Sequence, residues 1–223
     1  MRAGMYAILL CVVTGMVAVG SLRWINPITS SIILQSNLAG NKPIARWASF
    51  DWQSLEEISA PMALAVIAAE DQRFLHHHGL DFVELSKTLG EGKIRPRGAS
   101  TITQQVAKNL FLWSGRSYMR KILEAGLAVY IDLVWGKRRV LEIYLNIVQF
   151  GPSIYGVENA GRHFFGKPAV SLNRHEAARL AAVLPNPNSR SVTHASTTVV
   201  KRQRWILRQM RALGGESLLD GLR

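Results

Sequence analysis

The 223-residue chain carries 27 Lys+Arg against 15 Asp+Glu, a formal net charge of +12. That length holds one domain of about 200 residues with a sizeable core. The charge points to a polyanionic partner, whether nucleic acid, anionic lipid or a phosphorylated substrate, and the single Cys11 excludes an intramolecular disulfide.

In chain order, no residue from Gly4 to Leu22 is charged, and at helical rise that run spans roughly 28 Å, close to the hydrocarbon thickness of a bilayer. Arg2 precedes it, and Arg23-Trp24 after it suits an interface anchor. Residues 1–23 are therefore expected to form a transmembrane anchor. A cleaved secretory signal is the competing reading, because Ala18-Val19-Gly20 offers small residues for cleavage. Either reading exports the rest of the chain. Residues 24–58 are mixed and loop-like, with Pro27, Pro43, Trp47, Phe50 and Trp52, and are expected to be a membrane-proximal linker. The main domain is expected at 59–215, with 216–223 as a tail.

Beyond residue 58 the pattern is helical. Pro61 suits a first helical turn, and Met62, Ala63, Leu64, Val66 and Ile67 carry that helix to Glu70. Residues 90–99, with three glycines and Pro96, read as a basic loop. Ser100 or Thr101 can cap a helix through Leu112. From Ser117 to Trp135, Met119, Ile122, Leu123, Leu127, Ile131 and Val134 recur at helical spacing and mark one face of a long amphipathic helix. Lys137–Val148 repeats the pattern, and a short helix from about Tyr155 to Phe165 is closed by Gly166. Asn173-Arg174-His175-Glu176 is a capping box for a helix that Pro185 stops, and Ser196 opens the last helix, which Gly214-Gly215 ends. No segment alternates with period two, so the fold class is all-α.

Two runs carry chemistry. In Glu70-Asp71-Gln72-Arg73-Phe74-Leu75-His76-His77-His78-Gly79, a carboxylate at the end of an apolar helix is a candidate general base. A surface Glu-Asp pair is the bland alternative. Asp71 can orient a backbone group or an arginine. The three histidines are a poor metal set, because neighbours on a helix point in different directions. In the second run, Thr101, Gln105 and Lys108 fall at i, i+4 and i+7 and share a helix face, with Gln104 beside it. Hydroxyl, amide and ammonium groups along one face suit a sugar and a phosphate, although a solvated polar face has the same spacing. Arg116, Arg120 and Lys121 add cations that can clamp a pyrophosphate with Lys108. Arg120 and Glu124, at i and i+4, also suit a helical ion pair.

These residues resemble five ordered motifs of the family 51 peptidoglycan glycosyltransferases, and within them the monofunctional biosynthetic enzymes. The motifs are Glu70-Asp71-Gln72-Arg73-Phe74 with His78-Gly79; Gly98-Ala99-Ser100-Thr101-Ile102-Thr103-Gln104-Gln105 with Lys108-Asn109; Arg120-Lys121 with Glu124; Leu141-Glu142-Ile143-Tyr144-Leu145-Asn146 through Phe150-Gly151; and Tyr155-Gly156-Val157-Glu158 through Leu184-Pro185-Asn186-Pro187. Ala99, where a second glycine is frequent, and Gln149, where an aromatic or acidic residue is common, depart from the pattern.

The resemblance implies a lysozyme-like, bilobal, mostly helical fold with a smaller membrane-facing lobe. It implies lipid II and the nascent glycan as substrates, an inverting transfer that forms β-1,4 bonds, and no transpeptidase activity. Glu70 would be the general base and Glu124 a second catalytic residue at the donor side, positioning a donor group or a divalent cation (Mg or Mn), which is not expected to be obligatory. Lys108, Arg116, Arg120 and Lys121 would neutralise the pyrophosphate. Ser100, Thr101, Gln104, Gln105 and Asn146 would hold sugars, and Asp71, Phe74, His78 and Asn109 complete the expected substrate site. The bilayer is an expected partner, cell-division or elongation proteins are admitted, and nucleic acid is not expected. The implied location is the bacterial inner membrane, single-pass, with the catalytic domain on the periplasmic side. The alternatives are a lytic muramidase on the same scaffold, which has no need of the pyrophosphate cations, and a non-catalytic basic membrane-anchored module.

Overall fold

A computed structural model of the chain describes residues 2–40, 48–90, 100–115 and 117–222. Among the described residues it is built from nine α-helices and one small hairpin. The helices are α1 (Arg2–Ser21), α2 (Ser31–Ala39), α3 (Ala60–Glu70), α4 (Phe82–Gly90), α5 (Ile102–Phe111), α6 (Tyr118–Ile147), α7 (Val157–Phe165), α8 (Arg174–Val183) and α9 (Thr197–Ala212). Strands β1 (Gln149–Gly151) and β2 (Ile154–Tyr155) pair antiparallel between α6 and α7. They are too short to show an alternating pattern in the sequence, and the class remains all-α.

The core is organised around α3. Ser59 caps it by accepting the Met62 N–H, Pro61 lies in the first turn, and every residue from Met62 to Ala68 is buried. A helix apolar on all sides has to be surrounded, and α8, α9 and the short 3-10 turn Gly215–Leu219 supply the cover. Truncating a buried leucine such as Leu64 to alanine would cost about 2–5 kcal/mol. The consequence for function is geometric: α3 ends at Glu70, so the carboxylate sits on the most constrained element of the fold.

Local chemistry sets the other boundaries. Thr101 accepts the Gln104 N–H while Gln104 Oε1 accepts the Thr101 N–H, a reciprocal cap that starts α5. Asn173 and Glu176 do the same for α8, and Ser196 caps α9. Gly166, left-handed at φ 65°, closes α7. Helix α6 is broken internally at Gly136, whose φ of 76° and ψ of 164° lie outside the helical region; this is the break expected between Trp135 and Lys137.

Two expectations are corrected. Residues 24–58 are not simply loop-like, since Ser30 caps α2 and Ile33 and Asn37 of that helix are buried. Asn37 holds Ala48 through both its amide atoms, which fastens the segment. The first turns of α6 do not face the core: Met119 and Ile122 are 64% and 67% exposed, and Tyr118 and Leu123 are also exposed. Helical periodicity identifies an apolar face but not what covers it.

Helix α1 is long and apolar enough to cross a membrane, with mean hydropathy 1.9 over Gly4–Ser21, and fits a single-pass anchor. Its C-terminal end is joined to α6. Tyr130 donates to Met16 O at 2.8 Å, Trp135 Nε1 to Val19 O at 3.0 Å and Arg139 Nε to Leu22 O at 2.9 Å. The last carbonyls of α1 are taken largely by the turn that follows, where Arg23 N–H donates to Gly20 O and Trp24 N–H to Ser21 O.

Candidate active site

Glu70 ends α3, and its two oxygens have different partners. Gln105 Nε2, from α5, donates to Oε2 at 3.0 Å; Arg202 Nη2, from α9, donates to Oε1 at 3.2 Å. The sense of the Gln105 amide is set from its far side, where the buried Tyr144 hydroxyl of α6 donates to Oε1 at 3.1 Å. Burial pushes the Glu70 carboxyl above its ordinary value, and the Gln105 bond, the Arg202 charge and, more distantly, Arg190 oppose that rise. Burial likewise drives the Tyr144 hydroxyl well above its ordinary range, with the Glu70 charge adding to the effect, so it stays protonated and donating.

A second carboxylate, Glu124, is buried on the first part of α6. Arg120 Nη1 lies 2.7 Å from Oε2, and Lys121 Nζ bonds Oε1 while also reaching Ser100 Oγ at 2.9 Å. Lys108 of α5 is the cation common to both carboxylates, interacting electrostatically with Glu124 and with Glu70. Burial lowers the Lys108 ammonium from its ordinary value, and the nearby cations Arg120 and Lys121 lower it further, against the pull of the two glutamates. Lys108 makes no ion pair of its own among the described residues, which leaves its charge available to an anionic ligand.

Exposure divides the expected site residues into two groups. Glu70, Ser100, Gln105, Lys108, Asn109, Arg120 and Lys121 all keep some solvent access. Asp71, Phe74, Thr101, Gln104 and Asn146 are buried within the fold, away from the direct substrate contact expected of them, whereas His78 is exposed. Asn146 is fully buried, with Oδ1 accepting the Gln53 N–H and Nδ2 donating to Gln53 O and Glu142 O, each at 2.8 Å; no atom is left for a sugar. Thr101 and Gln104 are buried in the α5 cap, and Thr101 Oγ1 also donates to Gly79 O at 2.6 Å. Phe74 is fully buried, with Lys137 Nζ 4.7 Å from its ring centre.

Asp71 is buried too. Both its oxygens lie 3.0 Å from His77 Nε2, and Oδ2 accepts the Ile102 N–H at 2.9 Å. His78 points outward, with Nδ1 3.7 Å from Asp132. Arg116 and the Gly98-Ala99 start of the second motif lie outside the described residues.

The donor set around Glu124 does not fit a divalent cation. Arg120 and Lys121 already occupy both carboxylate oxygens, and no group of three or more His, Cys, Asp and Glu side chains comes together among the described residues.

Neither Arg202 nor Tyr144 is singled out by the sequence as part of the Glu70 site. Arg202 lies far along the chain from Glu70, and no local pattern links them. Tyr144 was visible within the fourth motif, but its partner could not be inferred from spacing.

The profile of the Transglycosylase family matches residues 39–211. The chain is 54% identical over 175 residues to the biosynthetic peptidoglycan transglycosylase of Pectobacterium carotovorum subsp. carotovorum (strain PC1), covering 77% of this chain and 72% of that protein. It is 54% identical over 176 residues to the protein of the same name from Yersinia pestis (strain Pestoides F), covering 78% and 73%. The chain belongs to the transglycosylase family and is a glycosyl-transferring enzyme.

Proposed function

We propose that this chain polymerises peptidoglycan glycan strands from lipid II at the outer face of the bacterial inner membrane. The observation that carries the reading is the placement of a half-buried, raised carboxylate, Glu70, near the ammonium of Lys108, which makes no ion pair among the described residues and stands beside Arg120 and Lys121. An inverting transfer from a pyrophosphate carrier needs a base on one side of the reacting carbon and positive charge on the other.

In this reading Glu70 takes the proton from the 4-hydroxyl of the GlcNAc of lipid II. That oxygen attacks C1 of the MurNAc at the reducing end of the growing chain. The new β-1,4 bond forms as the C1–O bond to the undecaprenyl pyrophosphate breaks, and the bonding pair leaves with the pyrophosphate. Glu70 then returns its proton to solvent. A carboxyl raised by burial is a stronger base than an ordinary one, while the Gln105 amide and the Arg202 charge favour its ionised form. Lys108, Arg120 and Lys121 neutralise the charge that gathers on the leaving group, and such preorganised charge is commonly worth about 10²–10³ in rate. Glu124 holds Arg120 and Lys121 in place, acting on the donor side through these cations.

The membrane side of the reading is supported by the apolar anchor α1 and by apolar side chains presented outward from α4 and the start of α6, among them Phe82, Val83, Tyr118, Met119 and Ile122. Exposed apolar groups of this kind mark a membrane or partner surface. Incubating the purified full chain with labelled lipid II tests the function. Polymer that a muramidase digests to disaccharide units supports it; digestion of purified sacculi without any polymerisation overturns it in favour of a lytic enzyme.

A further inference from the structure

Three consecutive features of α9 distinguish Arg202 from the cations around it. Lys201 and Arg204 are exposed, whereas Arg202 turns inward and is half-buried. Its Nη2 donates both to Ala69 O, at 3.1 Å, and to Glu70 Oε1, at 3.2 Å, and its guanidinium carbon lies 5.8 Å from the centre of the Trp205 ring. One guanidinium nitrogen thus grips the last turn of α3 and the carboxylate that follows it. On the opposite side, the Tyr144 hydroxyl bonds Gln105 Oε1, which leaves Gln105 Nε2 facing Glu70 Oε2. Turned over, that amide would set its oxygen against a carboxylate.

We propose that Arg202 and Tyr144 are positioning residues for the general base: Arg202 fixes one oxygen of Glu70, and Tyr144, by fixing the Gln105 amide, fixes the other. The inference rests on the reading of Glu70 as that base. Each carboxylate oxygen has two lone pairs, so one bond to each locks the plane and leaves a direction free for the acceptor hydroxyl. Base catalysis needs that direction held within hydrogen-bond reach of the proton. It also gives α9, which lies outside the five motifs, a direct part in the reaction.

The groups facing Glu70 define what a substitution does. They are Gln105 and Lys108 from α5, Tyr144 from α6, Arg202 from α9 and Arg190 from the segment between α8 and α9, with Asp71 next in the chain. Removing the Arg202 charge withdraws one of the influences that hold Glu70 down against burial, so the base requires higher pH to ionise. A purely structural role would lower stability or rate without moving that limb.

The experiment is the pH dependence of kcat/KM for lipid II polymerisation by the full chain in detergent, with thermal unfolding recorded in parallel. In Arg202→Met the acidic limb is expected to move to higher pH by about one pH unit, the low end for an opposite charge at this distance. Arg202→Lys restores the charge and should bring the limb most of the way back. Tyr144→Phe should lower kcat about tenfold with little change in KM, the mark of a lost orienting contact. If the Met variant fails to fold, Arg202→Gln, which keeps a donor for Ala69 O, carries the same expected limb. A limb that superimposes on wild type in both neutral variants overturns the proposal, as does failure of Arg202→Lys to restore it. Glu70→Gln runs alongside: wild-type polymerisation by that variant overturns the base itself, whereas an inactive Glu70→Gln with an unmoved Arg202→Met limb overturns only the positioning role.

Discussion

The main-chain N–H of Ile102 donates to Asp71 Oδ2 at 2.9 Å, which ties the residue after the proposed base to the first turn of α5. Three residues further along α5, Gln105 reaches back to Glu70. The two contacts close a small loop of structure: Asp71 sets where α5 begins, and α5 sets where the amide meets the carboxylate. His77 completes the anchorage, because Asp71 accepts from its Nε2 while His77 Nδ1 is buried without a hydrogen bond among the described residues.

Asp71→Ala should therefore destabilise the chain by about 2–4 kcal/mol, since it leaves a buried N–H and a buried imidazole unpaired. Asp71→Asn keeps an acceptor for Ile102 and should cost less. Denaturant unfolding in detergent checks the order wild type, Asn, Ala; an alanine variant as stable as wild type would contradict it.

Gly79 occupies φ +80°, and a Cβ built there would lie 2.5 Å from the Ala128 carbonyl oxygen. The neighbour is α6 backbone and cannot swing aside. Gly79→Ala is expected to cost about 3 kcal/mol or more, combining an unfavourable φ with a steric clash, and to be seen as a lower Tm or failure to accumulate folded protein. A Tm within experimental error of wild type would refute this.

The pH profile of kcat/KM should be bell-shaped. The acidic limb follows Glu70, which must be ionised to act and whose carboxyl is raised from 4.5; activity is thus lost as pH falls through a value above the ordinary carboxylate range. The alkaline limb follows Lys108, which must stay protonated and whose ammonium is lowered from 10.5, so activity is lost as pH rises before an ordinary lysine titrates. Steady-state rates from acid to alkaline pH test both limbs, and an acidic limb at or below 4.5 would count against Glu70.

Lys108 and Glu124 interact, so their substitutions should not add. Lys108→Met and Glu124→Gln are each expected to lower turnover by about 10²-fold, one by removing charge and the other by releasing Arg120 and Lys121. The double variant should lose less than the product, as coupled sites do. A strictly multiplicative loss in the double-mutant cycle would show that the two sites act independently.

Much of the fold could be read along the chain because its determinants are local. The Thr101–Gln104 and Asn173–Glu176 caps, the Ser196 start of α9 and the break at Gly136 are each fixed by residues within a turn or two. Helix α2 is not legible in the sequence because its one good signal, Ser30, opens a short segment that is fastened by the Asn37–Ala48 hydrogen bonds. The site was legible only in part. Glu70, Lys108, Arg120 and Glu124 carry their chemistry in their residue types, but Asn146 and Thr101 do not reveal that backbone groups use up their polar atoms. Arg202 meets Glu70 only because α9 folds back on α3, a tertiary contact that periodicity cannot express.

The central claim is that Glu70 is the base of a glycan polymerase. The most direct test compares wild type and Glu70→Gln for conversion of labelled lipid II into polymer, with folding of both confirmed by thermal unfolding. We predict that the folded Gln variant forms no polymer above background while wild type consumes the substrate. Polymerisation by the variant at a rate near that of wild type would contradict the account.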